Sequence, residues 1–164
     1  MESHLTIKHL AAYLPYGLKF RSSYAIDVST YTLSSNQLSH WESGHIKPFL
    51  PILRPLSDLT KEIGVNGEKF IPIVKLADKA GFLHGKDYKI VDYGFGFSDY
   101  VSWDFFRYDY ENKNFYFDIG NNYDGSKDSR VENSFELVNI LLEWHFDIYS
   151  LIPNNLAIDI NTLK

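Results

Sequence analysis

Six histidines and no cysteine set the chemistry open to this chain: imidazole and carboxylate ligands are available, while thiolate ligands and thiol nucleophiles are not. The closest pair is His40 and His45, with Glu42 between them in a segment running to Gly44. A helical metalloprotease motif needs histidines at i and i+4, so that both rings project from one face. This pair stands at i and i+5 in a stretch that reads as loop, and surface histidines are expected there. Glu143, Trp144 and His145 bring a carboxylate next to an imidazole, but helical neighbours point about 100° apart and form no direct dyad. His145 is instead expected at the edge of an apolar stripe, satisfied within the core or at its boundary.

Gly94-Phe95-Gly96-Phe97-Ser98 holds a Gly-x-Gly core but neither a third spaced glycine nor the Lys-Ser/Thr pair of a phosphate cradle. It reads as a flexible or bulged strand junction. No Gly-x-Ser-x-Gly elbow and no kinase, deaminase or dinucleotide signature occurs. Asp92, Asp104 and Asp118 would have to meet in space, beside His40, His45, His84 or His145, to serve a small hydrolase or nuclease. The sequence therefore assigns no catalytic residue, no metal ligand and no cofactor.

The richest segment runs from Asp87 to Asp128. It contains nine acids and four bases, which accounts for the whole net charge of -5, and 14 of the chain's 27 aromatic residues. In 101–110, strand alternation puts Val101, Trp103, Phe105 and Arg107 on one face and Ser102, Asp104, Phe106, Tyr108 and Tyr110 on the other. Both faces carry rings, so one is either covered a second time or available for binding. Tyrosine and tryptophan bury much area with few rotatable bonds, and carboxylates beside them select basic partners. Tyr93, Asp99, Tyr100, Trp103, Asp104, Tyr108, Asp109 and Tyr110 are the candidate partner-binding residues.

Around that segment the expected architecture is α+β: an antiparallel β-meander packed against one long C-terminal helix, with short N-terminal and central helices. His4 to Leu14 reads as an amphipathic helix stopped by Leu14-Pro15-Tyr16-Gly17, and Leu18 to Ser22 with Ala25 to Leu33 as paired strands. Ser34 to Gly44 is polar and turn-rich. Ile46 to Leu53 contains Pro48 and Pro51 and is expected as an edge strand or extended arm. A helical turn from Ser57 or Asp58, a tight Asn66-Gly67 turn and a helix over Pro72 to Ala80 follow. Strands are expected at Tyr88 to Tyr93, Tyr100 to Tyr108 and Phe115 to Ile119, then a helix over Ser134 to Tyr149 with Leu137, Leu141, Trp144 and Ile148 inward. Leu156 to Ile160 would form a last edge strand.

With 164 residues, 45% hydrophobic and 23% charged, the chain suits one ordered domain spanning 1–164. No signal-like N-terminus and no run of 18 apolar residues is present, so membrane insertion is not expected and a cytoplasmic location is. An acidic balance gives no global attraction to duplex DNA, although a local basic patch remains compatible with it.

Three blocks carry a resemblance: His9-Leu10-Ala11-Ala12-Tyr13-Leu14-Pro15-Tyr16-Gly17-Leu18-Lys19; Ile52-Leu53-Arg54-Pro55-Leu56-Ser57-Asp58-Leu59-Thr60-Lys61-Glu62-Ile63; and Leu142-Glu143-Trp144-His145-Phe146-Asp147-Ile148 with Leu156-Ala157-Ile158-Asp159-Ile160-Asn161-Thr162. Together they resemble a family of small uncharacterised proteins of bacterial phages and prophages, for which no activity is assigned. The resemblance implies a phage accessory protein: a non-enzymatic binding module for a host protein or ribonucleoprotein with a basic surface, in the manner of an anti-CRISPR inhibitor. A carboxylate-based hydrolase or nuclease and a nucleic-acid-binding regulator are the alternatives.

Overall fold

The computed structural model of the chain describes residues 5–22, 29–42, 49–82, 89–91, 94–98, 103–119 and 129–163. In chain order the elements are α1 (Ile7–Ala11), β1 (Lys19–Ser22), β2 (Thr30–Thr32), α2 (Ser35–Glu42), β3 (Phe49–Leu53), β4 (Ile63–Val65), β5 (Glu68–Phe70) and α3 (Pro72–Lys79). They continue with β6 (Lys89–Val91), β7 (Gly94–Ser98), β8 (Trp103–Asp109), β9 (Asn114–Ile119), β10 (Ser129–Arg130), α4 (Ser134–Glu143) and β11 (Ile158–Asp159). The fold class is α+β. The chain divides into two compact units, Met1–Pro55 with Leu141–Lys164, and Leu56–Ile140.

The first unit is built on a four-stranded mixed sheet in the order β11-β3-β1-β2. β1 runs antiparallel to β2 and β3, whereas β11 lies parallel to β3. β3 is thus an interior strand, not the edge strand or arm that its prolines suggest. Pro51 is tolerated because it pairs with Phe20 of β1 on one side only; pairing with β11 begins at Ile52, so the missing N–H leaves no broken rung. Leu10, Tyr13, Leu18, Phe20, Leu53 and Phe146 are buried here.

α2 replaces the loop expected over Ser34 to Gly44. Its start is a reciprocal box: the Ser34 amide donates to Gln37 Oε1 at 2.8 Å and the Gln37 amide to Ser34 Oγ at 3.5 Å. Ser-x-x-Gln is the local pattern for this arrangement, and Leu38 supplies a buried apolar anchor.

The long C-terminal helix is shorter than its pattern. α4 stops at Glu143, and Trp144 to Tyr149 form a turn and a bridge instead. His145 adopts φ 59°, in the left-handed region. The His145 amide donates to Leu142 O at 3.0 Å and the Phe146 amide to Leu141 O at 2.8 Å, the paired bonds of a Schellman ending. Leu141 and Phe146, both fully buried, supply the accompanying apolar contact positions. Spacing alone extends the stripe to Ile148, but the reversal at His145 aims the chain elsewhere.

In the second unit, β4 and β5 form a hairpin through Asn66 (φ 51°) and Gly67 (φ 85°), the left-handed pair that a tight Asn-Gly turn uses. α3 begins with Pro72 in its first turn and gives way to Gly81 (φ 78°). The expected meander is present as five strands in the order β10-β9-β8-β7-β6, with every neighbouring pair antiparallel. Gly94 to Ser98 is a strand in register with all of Trp103 to Arg107, rather than a junction. Phe106, Tyr108 and Phe115 are buried, with Phe106 and Phe115 stacked at 5.4 Å and Phe82 and Phe117 at 5.6 Å.

Candidate functional site

Charge is divided unequally between the units. The first has six acids and six bases; the second has fifteen acids and ten bases and so holds the entire net charge. Glu62, Glu68, Asp78, Glu132 and Glu136 of the second unit are exposed, and a further acidic group lies at the turn between β8 and β9. There the Asp109 carboxylate accepts the Glu111 amide at 2.9 Å, the Asn112 amide at 3.1 Å and the Asn112 side-chain amide at 2.8 Å. These donors, the Asn112 side chain foremost, hold the Asp109 carboxyl below its ordinary range, so it is ionised at neutral pH. Lys113 closes the turn with φ 52°.

Tyr110, at the tip, is 51% exposed, and Glu111 beside it is also exposed. Behind the tip, Arg107 lies over the Tyr116 ring at 5.1 Å, a cation–π contact. Tyr108 has the opposite fate: it is 2% exposed, with its ring 4.9 Å from Phe115. The face carrying Phe106 and Tyr108 is therefore the covered one, and Tyr108 anchors the hairpin while Tyr110 projects from it. Trp103 and Asp104 open β8, opposite Ser98 and Phe97 of β7. Tyr93, Asp99 and Tyr100 lie outside the described residues, as do His45 and His84. Of the eight candidate residues, Asp109 and Tyr110 come together at an accessible tip.

The first unit concentrates hydrogen bonds that no motif announces. Tyr13 donates its hydroxyl to Phe146 O at 2.6 Å, and His145 Nε2 lies 2.9 Å from Tyr16 O. The Arg54 amide donates to His145 O, and the Asp147 amide to Arg54 O, both at 2.8 Å. β11 pairs with β3 through Ile158 and Asp159. Residues from all three blocks of resemblance thus converge in one unit. Asp147 is 3% exposed, and its carboxylate oxygens accept the Leu151 amide at 2.8 Å and the Ile152 amide at 2.7 Å. Burial outweighs these donors and pushes its carboxyl upward. Burial also lowers the His145 imidazole; the Tyr16 carbonyl opposes this, and Arg54 and Lys19 reinforce it.

This arrangement closes turns and strand ends, and its signal in sequence is only the recurrence of Tyr, Arg, His and Asp beside apolar residues. Neither of the two acid-bearing arrangements is a metal centre: among the described residues, no group of three or more His, Asp or Glu side chains is placed to hold a metal ion. Among those residues, too, no helix is long and apolar enough to cross a membrane. No family model, no curated protein and no solved structure matches this chain.

Proposed function

We propose that this protein is a non-enzymatic binding module whose acidic second unit docks on a basic protein surface, with the β8–β9 tip as its leading contact. The observation that carries the reading is the pairing at that tip: an exposed aromatic ring, Tyr110, between a carboxylate fixed by three N–H donors, Asp109, and a second exposed carboxylate, Glu111. A ring held on a short turn loses little freedom on binding, and a pre-ionised carboxylate needs no rearrangement to meet an arginine or lysine. Trp103, Asp104, Tyr93, Asp99 and Tyr100 belong to the same segment and extend the proposed contact.

The resemblance to phage-carried proteins supports a bacterial host as the source of that surface, in the cytoplasm. A defence ribonucleoprotein inhibited in the anti-CRISPR manner is the specific form of the proposal. The test is affinity capture from host lysate with the intact protein, followed by titration of the captured partner against Y110A/E111K. We expect at least about tenfold weaker binding, the effect of removing one anchor residue, and weakening of the parent complex between 50 and 300 mM salt, concentrations chosen to span strong and weak screening (roughly 14 to 6 Å). Unchanged affinity in the variant would remove the tip from the interface.

A further inference from the structure

The first unit carries an electrostatic feature opposite to that of the acidic tip. In β1, Lys19 and Arg21 stand two residues apart, so both side chains leave the same face of the sheet, roughly 6.6 Å apart along the strand. Register places Thr32 opposite Lys19 and Thr30 opposite Arg21, and the Lys19 ammonium is hydrogen-bonded to the Thr32 hydroxyl, which fixes them on one side. On the other flank Arg21 faces Leu50. Lys19, Thr30 and Thr32 are exposed, and Arg21 is half-buried.

No residue of β1, β2 or β3 is acidic. Two permanent cations and two hydroxyl donors thus share one sheet face in a unit whose acids and bases balance. The opposite face takes Phe20, Tyr31 and Phe49, whose rings pack at 4.9 to 6.3 Å. The sheet is consequently two-sided, with donors on one side and rings on the other.

We infer that the Lys19–Arg21 face, with Thr30 and Thr32, contacts the phosphate backbone of a single nucleic-acid strand. Cations repeated along one β-strand suit a linear array of phosphates, and the threonine hydroxyls add neutral donors to the same oxygens. The rings lie on the far side of the sheet, so recognition is of backbone and carries little base preference. An acidic polypeptide is the competing occupant: it offers isolated carboxylates on a flexible chain rather than one charge per repeating unit, and it enters the test as a separate arm.

The experiment measures fluorescence anisotropy of the intact protein with labelled twelve-residue oligo(dT) and oligo(rU), and with a labelled polyglutamate of equal charge, as salt is varied. Both oligonucleotides are expected to bind with similar affinity and more tightly than polyglutamate. K19Q/R21Q should reduce the steepness of log K against log salt by about 1.4, because each single-strand phosphate left without its cation lowers the slope by about 0.7. K19R/R21K, which keeps both charges, should restore the parent slope and so separates loss of charge from misfolding. An absence of oligonucleotide binding, a slope unaltered in K19Q/R21Q, or a preference for polyglutamate would each overturn the inference.

Discussion

His145 combines three constraints in one side chain: a left-handed backbone, a bond from its ring to Tyr16 O, and an imidazole held below its ordinary pKa first by burial and further by Arg54 and Lys19. The pH consequence follows from that direction. A folded-state pKa below the unfolded value means that the unfolded chain binds the proton more readily, so the contribution to stability is complete above about pH 6.5. It declines as pH falls from there toward the folded value. Thermal melts of the parent and H145Q between pH 7.5 and 5 should show the parent losing more stability over that interval; parallel curves would refute the assignment. H145A should cost about 1 kcal/mol through loss of the ring bond. H145G, which loses the same bond but relieves a left-handed strain of roughly 1–2 kcal/mol, should lie near the parent. Asp147 differs because both of its oxygens are engaged by main-chain amides in a buried turn. D147N replaces one acceptor with a donor facing an amide, and a loss of about 1–3 kcal/mol by chemical denaturation is expected.

At the scale of elements, the β8–β9 hairpin gives the most direct prediction. Lys113 occupies a left-handed position that costs a side-chain-bearing residue roughly 1 kcal/mol, so K113G should stabilise the second unit by up to about that amount, read as a raised denaturation midpoint. The meander itself was legible because Trp103 to Asp109 and Phe115 to Ile119 alternate at the strand period and flank a polar turn. The strand at Gly94 to Ser98 was harder to read, since glycine in a strand is equally a sign of a bulge; pairing with β8 on one side and β6 on the other decides it. β3 escaped its interior assignment because a proline's cost depends on which neighbours bond at that rung, a non-local fact. The end of α4 was illegible for a related reason. A helical stripe continuing through Trp144 and Ile148 describes apolar spacing, while termination depends on a left-handed histidine secured by a carbonyl far away in sequence. The site shows the same limit: alternation groups Tyr108 with Tyr110, but only packing against Phe115 separates the buried ring from the exposed one.

Across the whole molecule, charge and chain path follow the same division. The second unit is one continuous stretch and holds all of the net charge, whereas the neutral first unit is assembled from the two ends of the chain. Removing residues 141–164 deletes β11, the Phe146 carbonyl that Tyr13 binds and the His145 ring that meets Tyr16. Such a truncation should lose the dispersed methyl resonances of Leu10, Leu18 and Leu53 in NMR spectra; their retention would show that residues 5–55 complete this core alone. The bonds from Tyr13 to Phe146 and from His145 to Tyr16 also bear on synthesis. Translation delivers Tyr13 more than a hundred residues before the carbonyl it needs, so the segment made first is the last to be completed. The acidic unit is synthesised in full before residues 141–164. During that interval β3 has β1 on one side and awaits β11 on the other, making the nascent N-terminal segment the stage at which a chaperone would have most to shield.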